Sequence, residues 1–165
     1  MKIILIGFMG AGKTSVAKIL SDKTKLEHIE LDELILKRAQ QNSINDIFKL
    51  KGEIYFRELE QNIFIELHNL DNCIISTGGG IVTNGNILSE YKGNGKVIFL
   101  NADFLKIKER LADADNRPLF QNINEALILF NSRQELYLKN TDIIIDTNNL
   151  SVEEVVLEID NILKV

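Results

Sequence analysis

The chain has 165 residues, 19 Lys plus Arg against 24 Asp plus Glu for a formal net charge of −5, and 45% hydrophobic residues, which fits one domain with a sizeable core. The acidic balance argues against nucleic acid as a partner, since such a footprint needs Lys and Arg in excess on one face, and no apolar run approaches the roughly 20 residues of a membrane span. The lone cysteine, Cys73, stands beside Ile74 and Ile75, reads as a buried strand residue and suits a reducing, cytoplasmic setting.

Short β-branched runs alternate with longer amphipathic stretches, the pattern of an α/β protein whose parallel sheet is covered by helices. The chain opens with a strand over Lys2–Ile6; its apolar start superficially resembles a secretory signal, but Gly10-Ala11-Gly12-Lys13 breaks it too early. A helix over Lys13–Leu20 follows, then a strand over Glu27–Leu31 and helices over Asp32–Ala39, Ile44–Phe48 and Glu53–Leu67. Strands over Cys73–Ser76 and Lys96–Leu100 lead to a helix over Asp103–Leu111. The stretch Ala112–Asn122 has neither period, holds the only proline, Pro118, and is long enough to be a lid. A helix over Asn124–Leu138, a strand over Ile143–Asp146 and a last helix opened by Ser151 and Glu154 as a capping box complete the pattern. There is no internal repeat or linker, and His28 and His68, with no Cys or His at ligand spacing, read as structural.

The strongest chemical signal is Gly7-Phe8-Met9-Gly10-Ala11-Gly12-Lys13-Thr14, which satisfies G-x-x-x-x-G-K-[ST]. Residue frequencies alone would produce it in on the order of one protein of this size in a few hundred. It also lies between a predicted strand and a predicted helix, as a loop that curls backbone N–H groups around phosphate oxygens must. Gly10, Ala11, Gly12, Lys13, Thr14 and Ser15 are therefore candidate nucleotide-binding residues, with Lys13 reaching the β- and γ-phosphates and the Thr14 hydroxyl offered to Mg²⁺. No Asn-Lys-x-Asp element for guanine occurs, so the nucleotide expected is ATP.

Beyond that loop the chain resembles the shikimate kinases over nearly its whole length. The resemblance is carried by the phosphate loop, Asp32 with Ile35, Phe56-Arg57-x-x-Glu60, Gly78-Gly79-Gly80, Arg117-Pro118-Leu119, and Arg133 with Tyr137. It implies a three-layer α/β/α P-loop nucleoside-triphosphate hydrolase-like fold with a five-stranded parallel sheet in the order 2-3-1-4-5. It further implies one kinase domain over 1–165, with a substrate-binding helical segment at about 32–67 and a lid at about 112–122. The activity implied is ATP- and Mg²⁺-dependent phosphorylation of the shikimate 3-hydroxyl in aromatic amino-acid biosynthesis, by a protein expected to be a monomer.

By the same resemblance Asp32 contacts the acceptor hydroxyl, although at the start of a helix it also reads as a plain N-cap. Arg57, held by Glu60, and Arg133 grip the substrate carboxylate; a solvated Arg–Glu pair is the bland alternative for the first two. Phe48 and Phe56 wall the ring or simply pack in the core, and Ile54, Phe64, Ile65 and Leu67 read as the apolar positions of the Arg57 helix. Gly78, Gly79 and Gly80 line the substrate hydroxyls, Arg110 contacts adenine, and Arg117 brings charge from the lid to the transition state. The family pattern Asp-x-Asp is here Glu30-Leu31-Asp32, and Asp146-Thr147-Asn148-Asn149 lacks the arginine common on the far side of the base. Two rivals share these signals: a related kinase acting on another acceptor such as gluconate, and an ATP-binding regulatory module without turnover.

Overall fold

A computed structural model of the chain describes residues 1–91, 93–111 and 122–164, Glu90 by its backbone alone. Five parallel strands, β1 (Lys2–Ile6), β2 (Glu27–Glu30), β3 (Cys73–Ser76), β4 (Lys96–Asn101) and β5 (Ile143–Asp146), form a sheet in the order β2-β3-β1-β4-β5. The central β1 is buried along its whole length, which is why Ile3-Ile4-Leu5-Ile6 is continuously apolar rather than alternating. Alternate residues of β1 enter two separate cores: Ile4 and Ile6 join one, Ile3 and Leu5 the other.

Helices α1 (Lys13–Thr24) and α6 (Val152–Leu163) cover the Ile3 and Leu5 face through Val16, Ala17, Leu20, Val155, Val156 and Ile159. Helices α2 (Leu31–Ala39), α3 (Ile44–Glu66), α4 (Phe104–Leu111) and α5 (Ile123–Lys139) contribute Ile35, Phe64, Ile107 and Tyr137 to the opposite layer. The result is the three-layer α/β/α fold with the expected strand order. None of the described helices is long and apolar enough to cross a membrane.

The helix boundaries carry local information. Helix α6 begins with the predicted capping box, Ser151 and Glu154 satisfying each other's backbone N–H groups. The two segments expected over 44–48 and 53–67 form one element broken at Gly52, whose φ of 85° and ψ of 167° no helical residue adopts. Helix α2 starts one residue earlier than expected, so its N-cap is Glu30 and the reading of Asp32 as the cap is corrected: Asp32 lies inside the first turn. The Glu30 side chain makes no capping hydrogen bond because its carboxylate is engaged elsewhere, as described below.

Candidate active site

The carboxyl ends of the strands gather the loops at one edge of the sheet, where ligands bind in open α/β folds. There the loop from Gly7 to Gly12 joins β1 to α1, whose first residues are Lys13 and Thr14. Gly12 is the N-cap of α1 in a left-handed conformation, φ 96°, with no side-chain cap, so the first-turn N–H groups are left to an external acceptor. Lys13 is buried, and its Nζ donates to the carbonyls of Gly7 and Phe8 at 2.8 and 3.0 Å. A cleft of about 500 Å³ runs along this loop, including Gly10, Ala11, Gly12, Lys13, Thr14 and Ser15, and extends to Asp32, Gly78 and Gly79.

At the cleft's other end stand Arg110, on α4, and Thr147, with Leu150 and Val155 behind. The Arg110 guanidinium donates to the Thr147 hydroxyl at 3.2 Å and to its carbonyl at 2.5 Å, so the two sides expected to flank a base are tied together. Thr147 belongs to the segment the resemblance sets on the far side of the base, whereas Leu150 and Val155 carry no such mark in the sequence. The signal available for them was the capping box, which starts α6 just after β5 and hence at this same edge.

Thr14 Oγ1 donates to Glu30 Oε2 at 2.8 Å, and Ser76 Oγ donates to the same oxygen at 2.7 Å. A hydroxyl, a carboxylate and the half-buried Asp32 thus share the cleft, and all are hard oxygen donors of the kind Mg²⁺ takes. No group of three or more His, Cys, Asp or Glu side chains is arranged as a metal site among the described residues. The donor set therefore fits an ion held chiefly by nucleotide and water with one or two protein oxygens, not a protein cage.

Gly78, Gly79 and Gly80 form the turn after β3, and the remaining candidates crowd around it. A methyl group on Gly80 would lie 2.4 and 2.5 Å from the two terminal nitrogens of Arg57, so only glycine lets that guanidinium rest on the backbone. One on Gly78 would lie 2.8 Å from Asp32 Oδ1 and 3.4 Å from Glu60 Oε1, and one on Gly79 would lie 3.6 Å from Arg133 Nη1. Arg57 donates to Glu60 Oε2 at 2.8 Å, and its Cζ lies over the Phe56 ring, 5.0 Å from the centroid. Phe56 is buried and packs on the half-buried Phe48 at 4.9 Å between centroids, so core packing and a ring wall coexist there.

Arg133 is buried, and its Nε has no hydrogen-bond partner. Burial holds its guanidinium below the ordinary arginine value; the Tyr137 hydroxyl opposes this, and the charge of Arg57 adds to it. Tyr137 is itself buried, donates to the Gly79 carbonyl at 2.5 Å and stacks on Phe99, which ties Arg133 to the glycine turn. Burial pushes the Glu60 carboxyl up, Arg57 only partly offsetting it. Two readings of this helix need correction: Phe64 and Leu67 are buried as expected, but Ile54 and Ile65 are exposed, at 78% and 42%. They lie opposite the face that carries Phe56, Glu60 and Ile63. Arg117, Pro118 and the lid apart from Asn122 fall outside the described residues, and Asn122 is the N-cap of α5.

The phosphate loop at the carboxyl edge of a parallel sheet of order β2-β3-β1-β4-β5, with Arg57 and Arg133 gathered on the glycine turn beside its cleft, places the protein among the P-loop small-molecule kinases. A family model described as shikimate kinase matches residues 9–164. The shikimate kinase of Lactococcus lactis subsp. lactis is 43% identical over 161 residues, covering 96% of each chain. Among solved structures, the shikimate kinase of Bacteroides thetaiotaomicron superposes with a TM-score of 0.90 at 28% identity, covering 100% of this chain and 99% of its own. That of Acinetobacter baumannii, in complex with shikimate, gives 0.89 at 29% identity, covering 99% of this chain and 93% of its own. The chain belongs to the shikimate kinase family.

Proposed function

We propose that the protein transfers the γ-phosphoryl group of ATP to the 3-hydroxyl of shikimate, with Mg²⁺ on the nucleotide, as a cytoplasmic monomer. The observation that carries this reading is the pair of guanidiniums, Arg57 and Arg133, on one glycine turn beside the phosphate cleft. Glu60 pairs with Arg57, while the buried Nε of Arg133 is left without a partner. Two like charges brought together out of water call for an anion between them, and the planar fork of arginine matches a carboxylate. In this arrangement Phe48 and Phe56 face the ring, and Gly78, Gly79 and Gly80 line its hydroxyls.

Asp32 reaches the junction of cleft and glycine turn, where it would align the acceptor hydroxyl and take its proton as the phosphoryl group arrives. Lys13 and the backbone N–H groups of Gly10, Gly12, Thr14 and Ser15 hold the phosphates, while the N–H of Ala11 closes the loop on the Phe8 carbonyl and Arg110 faces adenine. Mg²⁺, when bound, neutralises charge on the β- and γ-phosphates; Thr14 would supply its protein oxygen. Positioning and charge stabilisation dominate such transfers, so the protein needs no covalent intermediate. The segment at 32–67 forms the substrate side, and the lid at 112–122, carrying Arg117, would close over both sites and add charge to the transition state.

The test is ADP production from Mg²⁺-ATP by purified protein with shikimate, quinate or gluconate. Stimulation confined to shikimate is the expected result. A response to gluconate would keep the kinase and discard the acceptor, and nucleotide binding with no acceptor-dependent ADP would discard turnover.

A further inference from the structure

His28 lies on β2 two residues before Glu30, so both side chains leave the same face of the sheet. Ser76, the register partner of Glu30 on β3, sets its hydroxyl between them. With the Glu30 carboxylate as terminal acceptor, the hydrogen bonds along this row run in one direction, which selects the His28 tautomer protonated at Nε2. Glu30 Oε2 accepts from Thr14 Oγ1 and from Ser76 Oγ, at 2.8 and 2.7 Å. With its one O–H donating to Glu30, Ser76 Oγ is left to accept from His28 Nε2, 2.8 Å away. Ser76 is fully buried and the His28 side chain is 15% exposed; neither lines the cleft, whereas Glu30 and Thr14 do.

We propose that His28 is a positioning residue for the metal side of the site. Through Ser76 it pins Glu30 Oε2 where that oxygen accepts the hydrogen bond of the Thr14 hydroxyl, leaving a Thr14 lone pair free for Mg²⁺. Glutamate has one more rotatable bond than aspartate, and without a donor behind it the Ser76 hydroxyl is free to turn away, leaving the carboxylate anchored by an exposed threonine alone. The row His28–Ser76–Glu30 removes that freedom from behind, without occupying the cleft. This inference rests on the Mg²⁺-nucleotide reading above.

The test is calorimetric binding of the non-hydrolysable analogue AMP-PNP to the full chain, with Mg²⁺ and again with EDTA, in the absence of acceptor. The wild-type protein should bind more tightly with Mg²⁺. His28→Leu should cut that metal-dependent gain by about 3- to 10-fold, the effect of one hydrogen bond, with the EDTA affinity unchanged. His28→Gln, whose amide nitrogen can donate to Ser76, should restore the gain to within about twofold. Should the leucine variant fail to fold, His28→Asn, polar but too short to reach Ser76, replaces it in the same comparison. A full metal-dependent gain in a folded variant that lacks the donor overturns the proposal, as does an equal loss with Mg²⁺ and with EDTA. Absence of any Mg²⁺ gain in the wild-type protein would take down the metal reading itself, and this inference with it.

Discussion

Arg57 and Arg133 are cations of different standing. Arg57 has Glu60 at 2.8 Å and Glu53 at 3.5 Å, whereas Arg133 is 8% exposed with its Nε unpaired. Losing either half of a desolvated pair with a substrate carboxylate costs about 2–5 kcal/mol, or roughly 30- to several-thousand-fold. Arg133→Ala and Arg57→Ala should each raise the KM for shikimate by at least about 30-fold, with the KM for ATP nearly unchanged. Steady-state kinetics with each substrate varied in turn checks this, and equal rises for both would remove the assignment. Glu60 supplies a pH signature. Burial raises its carboxyl in the folded protein, Arg57 opposes this incompletely, and Asp32 adds to the rise. A raised value means that its contribution to stability is complete below the ordinary glutamate pKa, about 4.3, and is lost as pH rises through the folded value. Glu60→Gln should therefore gain stability relative to wild type between pH 4 and pH 8 in urea titrations. It should at the same time weaken shikimate binding, because Arg57 loses its orienting charge. A stability difference independent of pH would show that the carboxylate is not strained by its burial.

At the scale of the element, Gly52 decides how α3 presents its residues. The arm before it carries Ile47 and Phe48, and the arm after it carries Phe56, Arg57 and Glu60. A φ of 85° with ψ of 167° is open essentially to glycine alone, and no atom lies within 4 Å of an added methyl group, so alanine would meet backbone strain without a clash. Gly52→Ala should cost about 1–3 kcal/mol in chemical denaturation and should raise the KM for shikimate more than that for ATP, because Phe48 moves relative to Phe56. Unchanged stability would mean that the two arms are joined without strain. The same helix shows where periodicity misleads. Its buried face includes the fully buried Glu60 and the mostly buried Arg57, so hydrophobicity alone shifts the apparent face toward Ile54 and Ile65. Helix α2 gives the matching lesson: an acidic residue at a helix start looks like a cap, yet Glu30 caps by backbone position only while its carboxylate serves Thr14 and Ser76.

Across the whole molecule, a net charge of −5 coexists with cations placed locally, Lys13, Arg57, Arg110 and Arg133, around the loops at the carboxyl edge of the sheet. The central strands β1, β3 and β4 were legible from sequence because strands buried on both faces are largely apolar runs, a local property, whereas the edge strand β2, Glu27-His28-Ile29-Glu30, carries no such run. The phosphate loop was legible for the same reason: eight contiguous residues carry its turn, its helix start and its lysine. By itself, then, the sequence determined the α/β class, the nucleotide cradle and, through the order of its short motifs, the family. Tertiary structure alone decided that Arg57 on α3 and Arg133 on α5 meet at one glycine turn, that Arg110 closes on Thr147, and that His28 stands behind Glu30. Each of these depends on parallel strands and their helices being brought side by side from distant parts of the chain, a long-range arrangement that the residues flanking any one motif do not encode.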